Sequence, residues 1–373
     1  PEAEILQKAR QHKRQILTEV ELAGNLANNF IGITGTNGKS TTTALTAHLL
    51  KAPACGNIGI PFTQALQENP DSANFVCELS SFQLSHSNRL KPKIAAITNI
   101  TPDHISWHGS WEAYLEAKAK ITQFQDQTDW LILPNTAPLN KIKTKAQIFW
   151  VECQPLQNSN FDNAVWVNAS GELFIKIRNK TTKVLEITQL PLPGWHNTEN
   201  AMFALVIALL SGLPLEEAKE RLLTFKGLEH RLEFVREVSG KSFYNDSKAT
   251  NPESSIVALK AFNEPITWLA GGRDKLTNLS EMINEVKKKV SSVILFGEAA
   301  ARFADGLNKA EYQGKVYIVK NLEEAIPLAL KQNAKLVLLS PACASFDQFK
   351  SFEERGKYFT NLVLNIPEKI TIL

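Results

Sequence analysis

The chain has 373 residues, 43% hydrophobic and 21% charged, with a formal net charge of +3. That is room for two domains and perhaps part of a third, in a balance ordinary for a soluble globular protein. With no Lys/Arg block, the charge argues against nucleic acid as a partner. The four cysteines, Cys55, Cys77, Cys153 and Cys343, form no C-x-x-C pair; they suit a reducing cytosol better than a zinc site or a disulfide scaffold. The longest apolar run, Ala201–Leu210, is too short to span a membrane, and the start is too charged for a signal peptide. A cytoplasmic location without membrane insertion is expected.

In chain order, residues 3–11 read as a helix and 15–18 as a short strand, neither able to bury a core alone. From residue 30, apolar runs at 30–34, 74–78, 94–99 and 129–133 read as strands, with helices at 40–51 and 110–125. Residues 147–190 contain short alternating segments around Ser170-Gly171, the pattern of a small antiparallel excursion. An apolar helix follows over 198–210, ended by Gly212 and Pro214. A second series begins near Gly227, with strands at 232–237, 266–270, 292–296, 315–319 and 335–339. Helices at 252–262, 279–289, 298–306 and 321–332 separate them. Both series predict α/β folds: a doubly wound sheet with a phosphate loop, then a Rossmann-like domain. The expected division is 1–28 as the end of a preceding domain, 29–227 as a nucleotide-binding domain and 228–373 as a C-terminal domain.

The first strand runs into Gly35-Thr-Asn-Gly-Lys-Ser-Thr41, and a helix follows. Strand, glycine loop and helix form the layout of a phosphate-binding loop. Gly35 and Gly38 permit a tight turn, and Thr36, Asn37 and the helix N-terminus present backbone N–H groups to an anion. Lys39 would reach the β/γ-phosphates of ATP, and Ser40 or Thr41 would hold Mg²⁺. The strict pattern asks for glycine at position 33, where this chain has Ile33.

Polar clusters follow most of the other strands. Glu78 ends its strand and is a candidate Mg²⁺ ligand or a solvated strand-end carboxylate. Asp103 and His104 are candidates for a metal or a substrate carboxylate; the alternative is a helix cap beside a solvated imidazole. Lys118 lies on a helix and reads by composition as a surface lysine. Arg231 can reach a phosphate or pair with a neighbouring glutamate. Tyr244-Asn-Asp-Ser-Lys-Ala-Thr250 is denser in polar groups than a turn requires. Lys275 follows Gly271-Gly272, and Ser345 precedes Phe346-Asp-Gln-Phe349, read as the opening of the last helix.

Taken together these segments resemble the Mur ligases, ATP-dependent enzymes that form amide bonds in peptidoglycan synthesis. The resemblance runs through the 35–41 loop, Gly56-Asn-Ile-Gly59, Glu78-Leu-Ser-Ser-Phe-Gln83, Asn99–His104, His196-Asn-x-x-Asn200, His230-Arg231 and Asn245–Thr250. The last of these, with Ser340-Pro-Ala-Cys-Ala-Ser-Phe-Asp-Gln-Phe349, favours the members that add D-glutamate. The resemblance implies that Lys39 and Ser40 bind ATP and Mg²⁺ and that Glu78 holds that metal. His104 would serve a second Mg²⁺ and the substrate, and Lys118 would carry a carbamate near the metal. Asn197 and Asn200 would lie near adenine or ribose, with Arg231 and Asp246 completing the nucleotide site. Lys248, Thr250, Lys275, Ser345, Phe346 and Phe352 would bind D-glutamate, and Asn57 the muramoyl substrate. The family's N-terminal uridine-diphosphate-binding domain is expected to be largely absent from this chain, with residues 1–28 its remnant.

The implied chemistry is phosphorylation of the carboxylate of UDP-N-acetylmuramoyl-L-alanine by ATP. The D-glutamate amine then attacks the acyl phosphate in a site that positions the reactants and excludes water. The partners are small molecules, and a monomer is expected. Competing readings are a sister ligase taking L-alanine, a folylpolyglutamate-type synthase, or, from another class, a P-loop ATPase switch or binding module that needs no amino acid.

Overall fold

The computed structural model describes residues 4–27 and 29–367. They divide into two compact units. The first comprises residues up to Pro191 with His196–Phe225, and the second Leu192–Trp195 with the residues from Lys226 onward.

The first unit is built on a nine-stranded sheet: β1 (Ile31–Thr34), β2 (Ala54–Gly56), β3 (Val76–Glu78), β4 (Ile94–Ile97), β5 (Trp130–Pro134), β6 (Gln147–Val151), β7 (Ala164–Val167), β8 (Glu172–Ile177) and β9 (Lys180–Glu186). Their spatial order is β2-β3-β1-β4-β5-β6-β7-β8-β9. Pairing is parallel as far as β7, then antiparallel through β8 and β9. Every residue of β1 and β4 is buried, as central strands of a parallel sheet require. In β8, buried and partly buried residues alternate over the first four positions, the mark of a strand with one face toward solvent. The antiparallel excursion read over 147–190 is therefore an extension of the main sheet.

The second unit has β10 (Glu233–Val238), β11 (Lys241–Asn245), β12 (Ile266–Gly271), β13 (Val290–Phe296), β14 (Lys315–Ile318) and β15 (Leu336–Leu339), in the order β10-β11-β15-β12-β13-β14. Only the β10–β11 pair is antiparallel. Its core includes Trp268, Phe303, Leu338 and Leu295.

Three local expectations are corrected. Residues 15–18 are not a strand. The Thr18 hydroxyl instead accepts the Glu21 N–H at 3.2 Å and caps a helix, Glu19–Leu26, whose first turn carries two glutamates. The helix after Ser110 ends at Ala119 and tightens into a 3-10 turn, Lys120–Thr122. Residues 346–348 form a turn, and the last helix spans Phe352–Leu364. There the Ser351 hydroxyl accepts the Glu354 N–H at 3.2 Å, while the Glu354 carboxylate takes the Lys350 N–H at 2.6 Å. That is a better start than residues 346–349 offer, because Asp347 is engaged elsewhere, accepting the Glu298 N–H at 3.2 Å.

Candidate active site

The 35–38 loop leaves the carboxyl end of β1 and enters the helix Lys39–Leu50. Two glycines make it possible. Gly35 has φ +150°, and a Cβ there would fall 2.0 Å from Thr98 Oγ1. Gly38 has φ +80°, with a Cβ position 2.4 Å from Asn200 Oδ1. Both sites need backbone that only glycine supplies without strain. The segment after β4 then holds the loop in place. The Thr98 hydroxyl donates to Asn37 O at 2.6 Å, Asn99 Nδ2 donates to the same oxygen at 3.0 Å, and Asn99 Oδ1 accepts the Asn37 N–H at 2.8 Å. Thr36 Oγ1 accepts the Thr101 N–H at 3.0 Å and lies 3.0 Å from the Tyr114 hydroxyl. Part of the 98–104 cluster thus builds the loop rather than meeting a ligand.

Lys39 folds back over its own loop, donating to Gly35 O at 3.0 Å and Thr36 O at 2.8 Å. Ser40 and Thr41 are buried. The Thr42 hydroxyl donates to Asn200 Oδ1 at 3.1 Å, and Asn200 Nδ2 to Asn197 Oδ1 at 3.4 Å. Asn200 therefore stands against the loop and the helix that follows it.

Glu78 pairs with Ile33 across β3 and β1, so its carboxylate emerges at the same sheet edge as the loop. It is buried. Oε1 accepts from Asn57 Nδ2 at 2.8 Å, while Oε2 is buried with no hydrogen-bond partner. An orphaned carboxylate oxygen is what a hard divalent cation would satisfy. No group of three His, Cys, Asp or Glu side chains gathers for a metal among the described residues. The donors suit an ion that takes most of its ligands from phosphate and water.

Lys118 departs most from its reading as a surface lysine. It is 2% exposed, and Nζ donates to Gly35 O at 2.7 Å and Thr34 Oγ1 at 3.3 Å. Burial pushes its pKa down to about 7; the Lys39 charge lowers it further, and Asp103 and Glu78 oppose the shift. These four charged side chains share one locality. His104 takes a left-handed backbone, φ +52°, and its ring packs tilted against Phe82, centroids 4.9 Å apart. Its Nε2 is 3.5 Å from Asp103, and both side chains are half-exposed.

In the second unit Asp246 is buried. It accepts the Ser340 hydroxyl at 2.7 Å and the Leu232 N–H at 3.3 Å. Burial raises its pKa to about 7, against the pull of Ser340 and Arg231. Lys248 Nζ lies 5.7 Å above the Phe352 ring. Lys275 donates to Thr250 O at 3.2 Å. Ser345 is buried with its hydroxyl unpartnered, whereas Phe346 is 67% exposed.

Arg355 is the residue that sequence reasoning missed. It is fully buried in the last helix, and burial holds its pKa down at about 10. Its guanidinium donates to Ser247 Oγ at 2.9 Å, Ser247 O at 2.8 Å and Cys343 O at 3.0 Å, joining the loops that carry Asp246 and Ser345. The signal available was the glycine after it, Gly356, a poor helix former placed inside a helix.

Two open α/β sheets, the first carrying a Gly-Lys-Ser loop at the carboxyl end of a central strand, define a two-unit nucleotide-dependent class of protein. The family model of the Mur ligase middle domain matches residues 33–208, and that of the Mur ligase glutamate ligase domain matches residues 230–343. The UDP-N-acetylmuramoylalanine–D-glutamate ligase of Caldanaerobacter subterraneus subsp. tengcongensis is 40% identical over 98% of this chain and 82% of its own length. The ligase of the same name from Clostridioides difficile is 39% identical over 96% of this chain and 81% of its own length. A crystal structure of a MurF ligase from Thermotoga maritima in complex with ADP shares the fold, with a TM-score of 0.63 at 19% identity, covering 93% of this chain and 84% of that one. The chain belongs to the Mur ligase family. No helix among the described residues is long and apolar enough to cross a membrane.

Proposed function

We propose that this chain is an ATP-dependent ligase that joins D-glutamate to UDP-N-acetylmuramoyl-L-alanine in peptidoglycan precursor synthesis. The observation that carries the reading is the similarity, along almost the whole chain, to ligases named for that reaction. A substrate carboxylate oxygen attacks the γ-phosphorus of ATP, and ADP leaves. The D-glutamate nitrogen then attacks the acyl carbon of the acyl phosphate, inorganic phosphate leaves, and the amine gives up its proton. No protein nucleophile is required; catalysis rests on position and charge.

The N–H groups at the start of the helix Lys39–Leu50 receive the ATP phosphates, while Asn99 holds the Thr36 and Asn37 N–H groups and so the shape of the loop, and Lys39 exchanges its two loop carbonyls for phosphate oxygens. Mg²⁺, held by Ser40 and Glu78 with His104 serving a second ion, would neutralise the phosphate charge. Asn57, fixed by its hydrogen bond to Glu78, faces the muramoyl substrate. Asn197 and Asn200 support the nucleotide side of the loop, and Arg231 and Asp246 contribute to the nucleotide from the second unit.

Lys118 carries a carbamate in this reading. Its lowered pKa supports the assignment, because only the neutral amine adds to CO₂, releasing a proton and leaving a negatively charged group beside the loop. Lys248, Thr250, Lys275, Ser345, Phe346 and Phe352 bind D-glutamate. The unpartnered Ser345 hydroxyl and the Lys275 ammonium are matched to a carboxylate. A monomer is expected by sedimentation.

The test is phosphate release from ATP and UDP-N-acetylmuramoyl-L-alanine with D-glutamate, L-glutamate, L-alanine and a diamino acid in turn. Turnover with D-glutamate alone is expected. Turnover driven by L-alanine or the diamino acid, and not by D-glutamate, would replace this reading with a sister ligase. ATP hydrolysis indifferent to all four would make the chain an ATPase.

A further inference from the structure

Lys275 stands on a turn with a strained backbone. Leu276, the next residue, has φ +52°, a left-handed conformation costly for a branched side chain, and its side chain is 79% exposed. Nothing in the packing of Leu276 compensates for that backbone, so the turn must be held by hydrogen bonds.

It is held by Asp274 and Arg302. Asp274 Oδ1 accepts the Leu276 N–H at 2.8 Å, closing the turn on itself. The Arg302 guanidinium then grips the same carboxylate with two parallel bonds, Nε to Oδ2 at 2.6 Å and Nη2 to Oδ1 at 2.7 Å, and donates its third group to Thr277 O at 3.0 Å. One planar side chain thus fixes both ends of the segment 274–277, which lysine could not do with a single ammonium. Asp274 is nearly buried, and the pairing with Arg302 holds its carboxyl below the usual range.

Arg302 is itself anchored. It lies in the helix Ala300–Lys309, beside Phe303, with its guanidinium 5.5 Å from that ring. Phe303 is buried and stacks on Trp268 of β12 at 6.5 Å. At the other end of the segment, the Arg273 N–H donates to Ala344 O at 2.8 Å, next to Ser345.

We infer that Arg302 is a positioning residue for amino-acid recognition: through Asp274 it holds the strained Lys275–Leu276 turn so that the Lys275 ammonium is aimed at a carboxylate of the incoming amino acid. The inference rests on the assignment of Lys275 to D-glutamate binding made above. It adds a specificity element about which the 35–41 loop and its surroundings are silent, and it separates charge recognition, by Lys275, from the aiming of that charge, by Arg302.

The experiment compares Arg302→Met, Arg302→Lys and Lys275→Met in the whole chain, with D-glutamate and ATP varied separately. Arg302→Met is expected to raise the D-glutamate KM about 10-fold, as small misplacements of a binding group do, with the ATP KM changed less than about 2-fold. Arg302→Lys should fall between wild type and Arg302→Met. A merely structural residue would move both KM values and kcat together, and that result overturns the inference. So does an unchanged D-glutamate KM in Arg302→Met. If Arg302→Met does not fold, Arg302→Lys decides by the same split of the two KM values. Lys275→Met separates the two levels. An unchanged D-glutamate KM there removes the Lys275 assignment and the inference with it. A raised KM there, beside an unaffected Arg302→Met, removes the inference alone.

Discussion

The ammonium of Lys118 donates to the carbonyl oxygen of Gly35 at 2.7 Å, which puts a buried lysine directly beneath the glycine loop. The pairing spans 83 residues of sequence. It makes the loop and the helix Trp111–Ala119 one device, and burial there, with the Lys39 charge, makes the Lys118 charge sensitive to pH in the neutral range.

That sensitivity has a definite sign. The folded pKa of Lys118 is lowered from 10.5 to about 7. The unfolded chain therefore binds more protons between these values, and stability rises with pH across that window. The contribution is fully present above 10.5 and is lost as pH falls through about 7. Thermal melts of wild type and Lys118→Met between these limits, in CO₂-free buffer so that the amine stays uncarbamylated, should show wild type gaining on the variant as pH rises; parallel curves would refute the burial argument. In turnover, Lys118→Ala should be nearly inactive at every pH, with partial rescue by small carboxylic acids.

Asp246 has the opposite slope. Its folded pKa is raised from 3.8 to about 7, so the folded protein holds the extra proton and stability falls as pH rises through that range. Asp246→Asn should abolish this component and be more stable than wild type above neutrality, measured by urea unfolding at several pH values. A wild-type profile that rises with pH by the same amount as the variant's would contradict the assignment.

Lys39→Ala should abolish ADP formation while leaving the far-ultraviolet circular dichroism unchanged, because the Lys39 ammonium donates to backbone carbonyls of its own loop, Gly35 O and Thr36 O, rather than bracing a distant element. A folded variant with near-normal turnover would remove the loop from the mechanism.

Gly356→Ala tests the join between the last helix and β11. A Cβ at Gly356 would fall 2.3 Å from His230 Nδ1, and that imidazole is buried and bonded to Asn245 Nδ2 at 2.9 Å. Alanine improves helix propensity by about 1 kcal/mol, yet overpacking costs about 1–3 kcal/mol, so net destabilisation is expected. A stabilised variant in urea melts would show that the helix can shift at little cost.

Much of this is legible in the sequence. The run of apolar residues before Gly35, the Gly-Lys-Ser sequence and the helix after it are consecutive, and consecutive residues report their structure through period and turn chemistry. The same holds for the polar clusters after β3, β11 and β12. Local signals erred where two compete within a few residues, as at Phe346 and Ser351, and where a residue such as Thr18 serves as a cap rather than a strand.

By itself, then, the sequence determined the alternation of strands and helices, the loop, and which strand ends are polar, because each is written in neighbouring residues. Only the tertiary structure decided that Lys118 is buried and near neutral, that Asn200 stands against Gly38, and that Arg355 and Arg302 brace loops they are far from in sequence. These depend on desolvation and on hydrogen bonds between segments that meet only when the sheets form. Neither leaves any periodic trace in the chain, because burial and partnership belong to the packed unit and not to the residue.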